Sequence, residues 1–330
     1  MSEDGNPVER WSVYGNDLLF LDALTSPAPA EELLPGLAQR ILAATGSDSL
    51  ILLQSCTRAS LQAINDAWSY WTALPSAVPD VMVRIFERDG SESLSCGNGL
   101  LSAASLMLDR GIPLPVFALT GLPSTDPWTV EVGTDRLGRA WLKSAHPRRV
   151  PVALADPVFR TPVCSALDRF RGIAPSGEDV GDGPAFPPEL SGYLVLTGEP
   201  HLVILAREWD GLIPDQPVDV GRWLDRLGRH LNYDSRAVFP KGVNIDLVLG
   251  GTPEEGLRYR CFERGVNRET GACGTGALAV AHAWRELSCV GCDAIRVQPH
   301  GAGNGGYIVR WADGGMRLCG KPLFLGRVVA

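Results

Sequence analysis

Apolar and polar positions follow two periods along this 330-residue chain. Short β-branched and aromatic runs, such as VMVRIF, WTVEV, YLVLTG, NIDLVL and LRYRCFE, predict strands. Apolar residues recur at helical spacing in fewer segments, and we predict helices at 31–44, 97–110, 219–231 and 274–287. The chain end predicts a hairpin around Asp-Gly-Gly and a final strand. The pattern indicates an α/β (α+β) fold.

The two halves of the chain carry related segments. RIFERDGSESLSCGNGLLSAA, at 84–104, resembles RCFERGVNRETGACGTGALAVA, at 260–281. In both, an Arg-x-Phe-Glu-Arg strand leads to Cys-Gly-x-Gly and an apolar run of small residues. Two further pairs match 45–54 with 197–206 and, more weakly, Asn16 in YGNDLLFLDA with Asn244 in GVNIDLVLG. These pairs predict duplicated domains, at a spacing far too long for a solenoid.

We place the domain boundary in the linker near 145–151. The expected domains are 1–148, to which a final strand at about 318–330 returns, and 149–317. Segments rich in proline and glycine predict loops at 111–127 and 172–188.

Composition narrows the class of partner. The formal charge is −8, from 30 basic and 38 acidic residues, which argues against nucleic acid or an anionic membrane as the main partner. The first residues are polar and acidic and predict no signal peptide, and no apolar run approaches the length of about 18 residues that spans a membrane. We therefore expect a cytoplasmic protein that acts on a small molecule.

The eight cysteines are expected to be reduced thiols, because they are too sparse for a disulfide scaffold in that compartment. The three lysines, Lys143, Lys241 and Lys321, offer few candidates for a Schiff-base cofactor. Individual thiols can therefore be considered for chemistry.

Cys96 and Cys273 precede Gly-x-Gly and a helix-forming run, so we expect each thiol at the start of a helix. The unpaired N–H groups and the dipole there favour a bound carboxylate at Gly97-Asn98 and Gly274-Thr275, and they also favour a thiolate. Lowering a thiol pKa of about 8.5 by about one unit requires about 1.4 kcal/mol, and a helix start supplies roughly 0.3–2 kcal/mol. A lone cysteine is more often a small buried residue, but the duplication of the motif favours chemistry.

Two such sites from two similar domains would hold one carboxylate between two helix starts, with a thiol on each side of the adjacent carbon. One sulfur, as thiolate, would remove the α-proton, and the other, as thiol, would deliver a proton to the opposite face. This arrangement inverts a stereocentre without a cofactor. The pH profile is expected to be bell-shaped, since the pair shares one proton.

These residues resemble the diaminopimelate epimerase family, whose members are pyridoxal-phosphate-independent amino-acid racemases and epimerases. YGNDLLFLD, DGSESLSCGNG, GEPH, GVN, ERGVNRETGACGTG and ADGGMRLCGKPLFLGRV occur in the family's order over nearly the whole chain. The resemblance implies two pseudo-symmetric halves, each a β-barrel-like sheet around a central helix, with the active site in the cleft between them. It also implies a homodimer.

The resemblance assigns roles to individual residues. Cys96 and Cys273 would be the paired bases, and the backbone at Gly97, Asn98, Gly274 and Thr275 would hold the reacting carboxylate. The pocket for the distal end of the substrate would include Asn16, Asn244, Glu263 and Arg264. No metal site and no cofactor are implied.

Two pocket positions depart from the family pattern, since Glu87 and Glu199 stand where asparagines are usual. An ionised glutamate only accepts hydrogen bonds, so both changes disfavour a distal carboxylate and favour a cation. We therefore expect a basic amino acid or a diamino acid as substrate. In the alternative, Arg88 and Arg264 neutralise the two glutamates, and the protein is an authentic diaminopimelate epimerase.

Smaller departures accompany these two. Leu101 replaces an arginine, and one extra residue lies between Arg264 and Cys273. Rival hypotheses are a thiol-redox protein, in which Cys96 and Cys273 form a reversible disulfide, and an isomerase of the phenazine-biosynthesis type, which the presence of both cysteines disfavours. The Cys289-x-x-Cys292 pair lacks a second pair or a histidine cluster, so we interpret it as incidental.

Overall fold

β-Branched and aromatic runs form most strands of the computed structural model, which describes residues 8–144, 147–173, 186–187, 189–209, 213–214, 216–288, 291–312 and 315–328. The strands are β1 Val8–Val13, β2 Asn16–Ala23, β3 Ser49–Ser55, β4 Val81–Phe86, β5 Glu92–Ser93, β6 Val116–Thr120, β7 Trp128–Thr134, β8 Ala140–Ser144, β9 Arg160–Pro162, β10 Asp168–Ile173, β11 Glu189–Leu196, β12 Pro200–Leu205, β13 Asn244–Gly250, β14 Leu257–Glu263, β15 Arg268–Thr270, β16 Ala294–Pro299, β17 Tyr307–Ala312, β18 Gly315–Gly320 and β19 Leu323–Val328.

The α-helices in these ranges are α1 Leu34–Thr45, α2 Arg58–Trp68, α3 Gly97–Asp109, α4 Pro217–Arg229 and α5 Gly274–Ser288. The four helices expected from apolar spacing are confirmed, and α2 was missed. Only Leu61 and Ile64 of α2 are buried, so its apolar face is narrow, and a capping box between Thr57 and Ser60 starts the helix instead. None of these helices is long and apolar enough to cross a membrane.

One predicted loop contains a strand. The expected loop at 111–127 includes β6, which pairs in parallel with β4 and antiparallel with β7. Tertiary pairing overrides the local proline and glycine signal there. Of the other expected loop, at 172–188, residues 174–185 and 188 lie outside the described residues, as do the Asp-Gly positions 313–314 of the predicted hairpin.

The chain divides into two compact units. Unit 1 comprises Met1–Ser144 with Arg317–Ala330, and unit 2 comprises Ala145–Met316. In unit 1, β2 and β3 come directly before and after α1 in the chain and pair in parallel with each other. Strand β4 pairs antiparallel with β3. The last strand, β19, pairs antiparallel with β1. Helix α3 packs against β1, β4, β7 and β8, so strands from several parts of the sheet enclose it.

Unit 2 repeats this order. Strands β12 and β13 come before and after α4 in the chain and pair in parallel with each other, and β14 pairs antiparallel with β13. Strand β16, which follows α5 in the chain, pairs in parallel with β14. Helix α5 packs against β11–β14, β16 and β17. Most of α3 and the first ten residues of α5 are buried. Leu101, at the position of the expected arginine, lies in the core of unit 1.

The duplicated topology corrects two of the three sequence matches. The first pair, which joins β4 to β14, agrees with the topology. The second and third pairs align β3 with β12 and β2 with β13, whereas the parallel pairings make β2 equivalent to β12 and β3 equivalent to β13. Short apolar runs look alike in sequence, so only the pairing of the strands separates them.

A buried arginine braces the hairpin before each cysteine. Arg84 on β4 is fully buried and donates from Nη2 to Glu92 Oε2 on β5 at 2.8 Å. The equivalent Arg260 on β14 donates from Nη2 to Glu269 Oε2 at 2.6 Å. The chain reaches Cys96 and Cys273 four residues after these glutamates, so both pairs help to fix where the thiol segments leave the sheet.

Candidate active site

Each predicted thiol lies at the start of a central helix. Cys96 is the N-cap of α3, and its Sγ accepts the Gly99 N–H at 3.3 Å. Cys273 immediately precedes α5, and its Sγ accepts the Gly276 N–H at 3.4 Å. Each sulfur therefore accepts a backbone N–H at a helix start, where the helix dipole favours negative charge.

The second glycine of each motif provides the necessary space. A Cβ on Gly99 would lie 2.9 Å from Ile51 Cδ1 and 3.5 Å from Cys96 Sγ. A Cβ on Gly276 would collide with Asp246 Oδ1. The Gly-x-Gly spacing therefore lets each helix start approach the strand beneath it while keeping the sulfur against a backbone N–H.

An amide chain extends from the start of α3. Asn98 Nδ2 donates to Asn16 Oδ1 at 2.9 Å, and Asn16 Nδ2 donates to Asp48 Oδ2 at 2.9 Å. The structure thus brings the predicted residues Cys96, Gly97, Asn98 and Asn16 together in unit 1. Asp48, which orients Asn16, was not predicted, although it lies in a polar segment directly before β3.

Glu87 lies at the end of β4 and is buried. Its carboxylate accepts a hydrogen bond from Ser93 Oγ at 2.6 Å and from Ser49 Oγ at 3.0 Å. Arg88 donates to the carbonyl oxygens of Gly46 and Ser47, the latter at 3.1 Å. Two hydroxyl donors therefore hold the carboxylate of Glu87 in place.

In unit 2 an imidazole occupies the place beside the helix start. His201 Nε2 is 3.0 Å from Thr275 Oγ1, and His201 Nδ1 is 2.7 Å from Asp246 Oδ2. Thr275 Oγ1 is in turn 3.4 Å from Cys273 Sγ. A buried hydrogen-bonded chain thus runs from a carboxylate through an imidazole and a hydroxyl to the thiol.

Two further residues of unit 2 contact Cys273 and were not predicted. Tyr259 accepts the Cys273 N–H at 3.2 Å and donates its hydroxyl to the Cys273 carbonyl at 2.6 Å. Cys261 forms a side-chain hydrogen bond with Cys273. Both belong to β14, where alternate residues face α5, so their spacing of two was the available signal.

The electrostatic setting makes Cys273 unusually acidic. The hydrogen bond with Cys261 lowers the pKa of Cys273 most, burial opposes it, and the charge of His201 and the hydroxyl of Thr275 lower it further, to about 7. Burial raises the pKa of Cys261 well above its ordinary value. Burial lowers the pKa of His201, but the Asp246 carboxylate outweighs it and the net direction is upward. Near neutral pH a large fraction of Cys273 is therefore thiolate.

The predicted distal residues of unit 2 form one hydrogen-bonded group. Arg264 donates from Nε to Glu199 Oε2 at 2.7 Å and from Nη1 to the Lys241 carbonyl at 2.7 Å. The Arg264 N–H donates to Asn244 Oδ1 at 2.8 Å, and Asn244 Nδ2 is 3.4 Å from His201 Nε2. The guanidinium of Arg264 thus forms an ion pair with Glu199. This pair agrees with the alternative hypothesis, in which Arg264 neutralises Glu199.

Glu263 lies beside the thiols of unit 2. Thr270 donates its hydroxyl to Glu263 Oε1. One carboxylate oxygen of Glu263 and the sulfurs of Cys261 and Cys273 lie within 4.8 Å of one another. Side chains of these types also ligate metals, but here a hydrogen bond links the two sulfurs, and we assign no ion to them. Of the Cys-x-x-Cys pair, Cys289 lies outside the described residues.

Relatives of this chain are named diaminopimelate epimerase. One from Methanothrix thermoacetophila is 30% identical over 231 residues, which cover 69% of this chain and 68% of the relative. Another from Sphingopyxis alaskensis is 29% identical over 307 residues, which cover 91% of this chain and 87% of the relative. No family model matches the chain.

Solved structures of epimerases and racemases share the fold. A probable proline racemase from Agrobacterium radiobacter matches with a TM-score of 0.60 at 14% identity and covers 98% of this chain and 92% of its own. A hydroxyproline epimerase from Agrobacterium vitis matches with a TM-score of 0.58 at 13% identity, over 98% of this chain and 91% of its own. The expected fold class is confirmed.

Proposed function

This chain is an isomerase of the diaminopimelate epimerase family, and we propose that it inverts the α-carbon of an amino acid with two cysteine bases, Cys96 and Cys273, and without a cofactor. The observation that carries the proposal is the repeated placement of a thiol at the start of a buried central helix, with a backbone N–H on each sulfur. A packing role alone does not require the same polar contact twice.

The proposed reaction moves one proton in each direction. In one direction the Cys273 thiolate removes the α-proton, and the Cys96 thiol donates a proton to the opposite face of the carbanion. In the reverse direction the roles of the two sulfurs exchange. Each turnover leaves the sulfur pair in the opposite protonation state, and return of the starting state needs proton exchange with water or conversion of the other enantiomer.

The helix starts would stabilise the charge that develops. The first N–H groups of a helix have no partner within the helix, so those at Gly97-Asn98 and Gly274-Thr275 are suited to the substrate carboxylate. As the α-proton leaves, negative charge spreads toward that carboxylate, and fixed donors there stabilise the transition state more than the ground state. We expect this electrostatic contribution to be the largest one.

The proposed substrate is a basic amino acid or a diamino acid. Glu87 and Glu199 place carboxylates at positions where the family resemblance implies amides. Arg264, the cation that would receive a distal carboxylate, already donates to Glu199, so a substrate with such a group would compete with an internal carboxylate. Because Arg264 offsets the charge of Glu199, the attraction for a cationic tail rests mainly on Glu87.

Authentic diaminopimelate epimerase activity is the second candidate, and the names of the relatives favour it. A racemisation panel separates the two candidates. Lysine, ornithine, arginine, histidine and LL-diaminopimelate are incubated singly at equal concentration, and chiral chromatography follows the appearance of the opposite stereoisomer. We expect inversion of at least one basic amino acid at a kcat/KM roughly tenfold or more above that for diaminopimelate. Inversion of diaminopimelate alone would overturn the cationic-tail proposal.

The setting of this activity is also proposed. We propose a cytoplasmic homodimer that acts on a small molecule. The resemblance to the family supports the homodimer, and the acidic composition argues against nucleic acid or an anionic membrane as the main partner. Light scattering on the purified protein tests the assembly, and a mass equal to one chain would contradict it.

A further inference from the structure

The thiol of Cys273 has a second thiol beside it within its own unit. Cys261 lies on β14, directly opposite Asp246 in the pairing with β13. The Cys261 and Cys273 sulfurs lie within 4.8 Å of each other, and both residues are free thiols and buried. Beyond its hydrogen bond with Cys273, Cys261 has no role in the reaction proposed above, and the packing of β14 does not require a thiol at this position.

The equivalent position in unit 1 shows which side chain packing alone requires at position 261. Phe86 pairs with Glu92 on the β4–β5 hairpin, and Phe262 pairs with Glu269 on the β14–β15 hairpin, so Cys261 is equivalent to Ile85. Ile85 is buried, so an isoleucine and not a thiol occupies the equivalent position in unit 1. The thiol at 261 is therefore a feature of the Cys273 side alone.

The two thiols differ in acidity in the way that an attacking and a resolving thiol differ. The pKa of Cys273 is lowered to about 7, whereas burial holds the pKa of Cys261 well above its ordinary range. A hydroperoxide reacts with the thiolate and not with the neutral thiol, so oxidation would begin at Cys273. Cys261 would still carry its proton at that stage.

We propose that Cys261 is a resolving thiol, which forms a reversible disulfide with Cys273 after a hydroperoxide oxidises Cys273, and that this disulfide switches the isomerase off. The switching rests on the proposed function, because it assumes that Cys273 is a catalytic base. The disulfide itself does not depend on the reaction that the protein catalyses.

The chemistry balances with the peroxide as the only oxidant. The Cys273 thiolate attacks one peroxide oxygen, the O–O bond breaks, and Cys273 becomes a sulfenic acid while hydroxide leaves. The Cys261 sulfur then attacks the Cys273 sulfur, the S–O bond breaks, and the proton of Cys261 leaves with the departing oxygen as water. Glu263, within 4.8 Å of both sulfurs, is positioned to relay that proton.

Both sulfurs belong to unit 2 and lie within 4.8 Å of each other, so the bond needs no movement of one unit against the other. A disulfide requires an S–S distance of about 2.05 Å. A 120° rotation about a cysteine χ1 moves its sulfur by about 3 Å, so closure from a separation within 4.8 Å is a matter of side-chain movement. Closure within one unit would also protect Cys273 from further, irreversible oxidation to the sulfinic acid.

Peptide mapping tests the disulfide directly. The purified, reduced protein is treated with one to a few equivalents of hydrogen peroxide, blocked with an alkylating agent and digested. We expect intact protein about 2 Da lighter and one cross-linked peptide that joins Cys261 to Cys273. A Cys96–Cys273 cross-link, or sulfinic acid at Cys273 with no cross-link, would overturn the proposal. This measurement needs no variant and no activity, so it stands even if the protein fails to racemise any amino acid.

Variants test the switch. Cys261→Val keeps an apolar side chain of similar size, and Cys164→Ser removes a thiol elsewhere in unit 2 as a control. Each is compared with its own untreated rate. After peroxide and then dithiothreitol, wild type and Cys164→Ser should recover nearly all activity. Cys261→Val should recover at least about tenfold less and should carry about 32 Da more on the Cys273 peptide, as expected for a sulfinic acid. Because Cys261→Val also removes the hydrogen bond that lowers the pKa of Cys273, peroxide is added to each protein until its activity is lost. Full recovery by the inactivated Cys261→Val would contradict the proposal.

Discussion

Cys96 and Cys273 begin equivalent helices but meet different side chains. At Cys96 the next polar residues are amides, since Asn98 donates to Asn16 and Asn16 donates to Asp48. At Cys273 the equivalent position is Thr275, whose hydroxyl hydrogen-bonds to the imidazole of His201, which in turn hydrogen-bonds to the carboxylate of Asp246. The backbone of the site is duplicated, and the groups that can exchange protons are not.

We infer from this difference that the two thiols begin the proposed reaction in different protonation states. Amides do not titrate, whereas an imidazole and a second thiol adjust the charge beside Cys273. The lowered pKa of Cys273 favours it as the resting thiolate. Cys96, half-buried at the start of α3, is then the expected proton donor in the first direction.

The largest expected effect is the loss of either sulfur. Cys96→Ala and Cys273→Ala should each reduce racemisation by about 1,000-fold or more, because a positioned acid or base contributes about 10²–10⁴-fold and no other group replaces it. Each variant should still exchange the α-proton of one enantiomer with solvent, and the two variants should differ in which enantiomer. Cys164→Ala is the matched control and should retain full activity. Full racemisation by either site variant would refute the two-base mechanism.

Replacement of the buried arginine should lower the free energy of unfolding by different amounts in the two units. Arg84 is fully buried between Glu31 and Glu92, so Arg84→Met leaves two carboxylates without their cation and should lower the free energy of unfolding by about 3–5 kcal/mol. Among the described residues Arg260 forms an ion pair with one carboxylate, that of Glu269, so Arg260→Met should cost less.

Urea unfolding measures both effects. Arg327→Met removes an arginine that is 68% exposed and should change the unfolding free energy by less than about 1 kcal/mol. An equal cost for Arg84→Met and Arg327→Met would show that the buried pairs do not hold the hairpins.

His201→Asn tests whether the imidazole lowers the pKa of the Cys273 thiol. Removal of the imidazole takes away an interaction that lowers the pKa of Cys273, so the pKa should rise and less thiolate should be present at pH 7. A rise of about one unit from about 7 lowers the thiolate fraction at pH 7 from about one half to about one tenth, so we expect about a fivefold lower rate. The acidic limb of the rate profile should move to higher pH, with recovery in alkaline buffer. A uniform loss across the pH range would indicate a structural role only.

The last expected effect concerns specificity in the distal pocket and leaves the chemistry at the two sulfurs unchanged. Glu199→Asn releases Arg264 from its internal partner, so the ratio of kcat/KM for diaminopimelate to that for lysine should rise by about tenfold or more, as expected for one charged hydrogen bond. Glu189→Asn changes an exposed carboxylate on β11 and is the matched control. An unchanged ratio in Glu199→Asn would remove Arg264 from the account of specificity.

Sequence alone was sufficient for the features that local motifs encode. The Gly-bracketed cysteines predicted the starts of α3 and α5, because the glycines and the following apolar run are contiguous in the chain. The resemblance to the family placed Asn16 and Arg264 in the distal pocket, and the pair of Glu199 with Arg264 was the neutralising alternative, whereas the contact of Asn16 with Asn98 was not predicted. These contacts join residues that are distant in sequence, and no periodicity indicates them.

What depends on tertiary pairing escaped prediction. Asp246 looked like one polar position in an apolar strand, and Cys261 like an ordinary strand residue. Their role comes from the pairing of β13 with β14 and from the packing of α5 on both strands. The mistaken matches of β2 and β3 have the same origin, since parallel neighbours of similar composition exchange places easily in a sequence alignment.

The central claim is that two sulfurs pass protons to opposite faces of one α-carbon, and isotope incorporation tests it most directly. The reaction is started from one enantiomer in deuterium oxide and stopped early. The account predicts product that carries solvent deuterium at the α-carbon almost completely, while recovered substrate carries little. Product that keeps the original hydrogen, or a protein that exchanges no α-hydrogen with any amino acid tested, would contradict it.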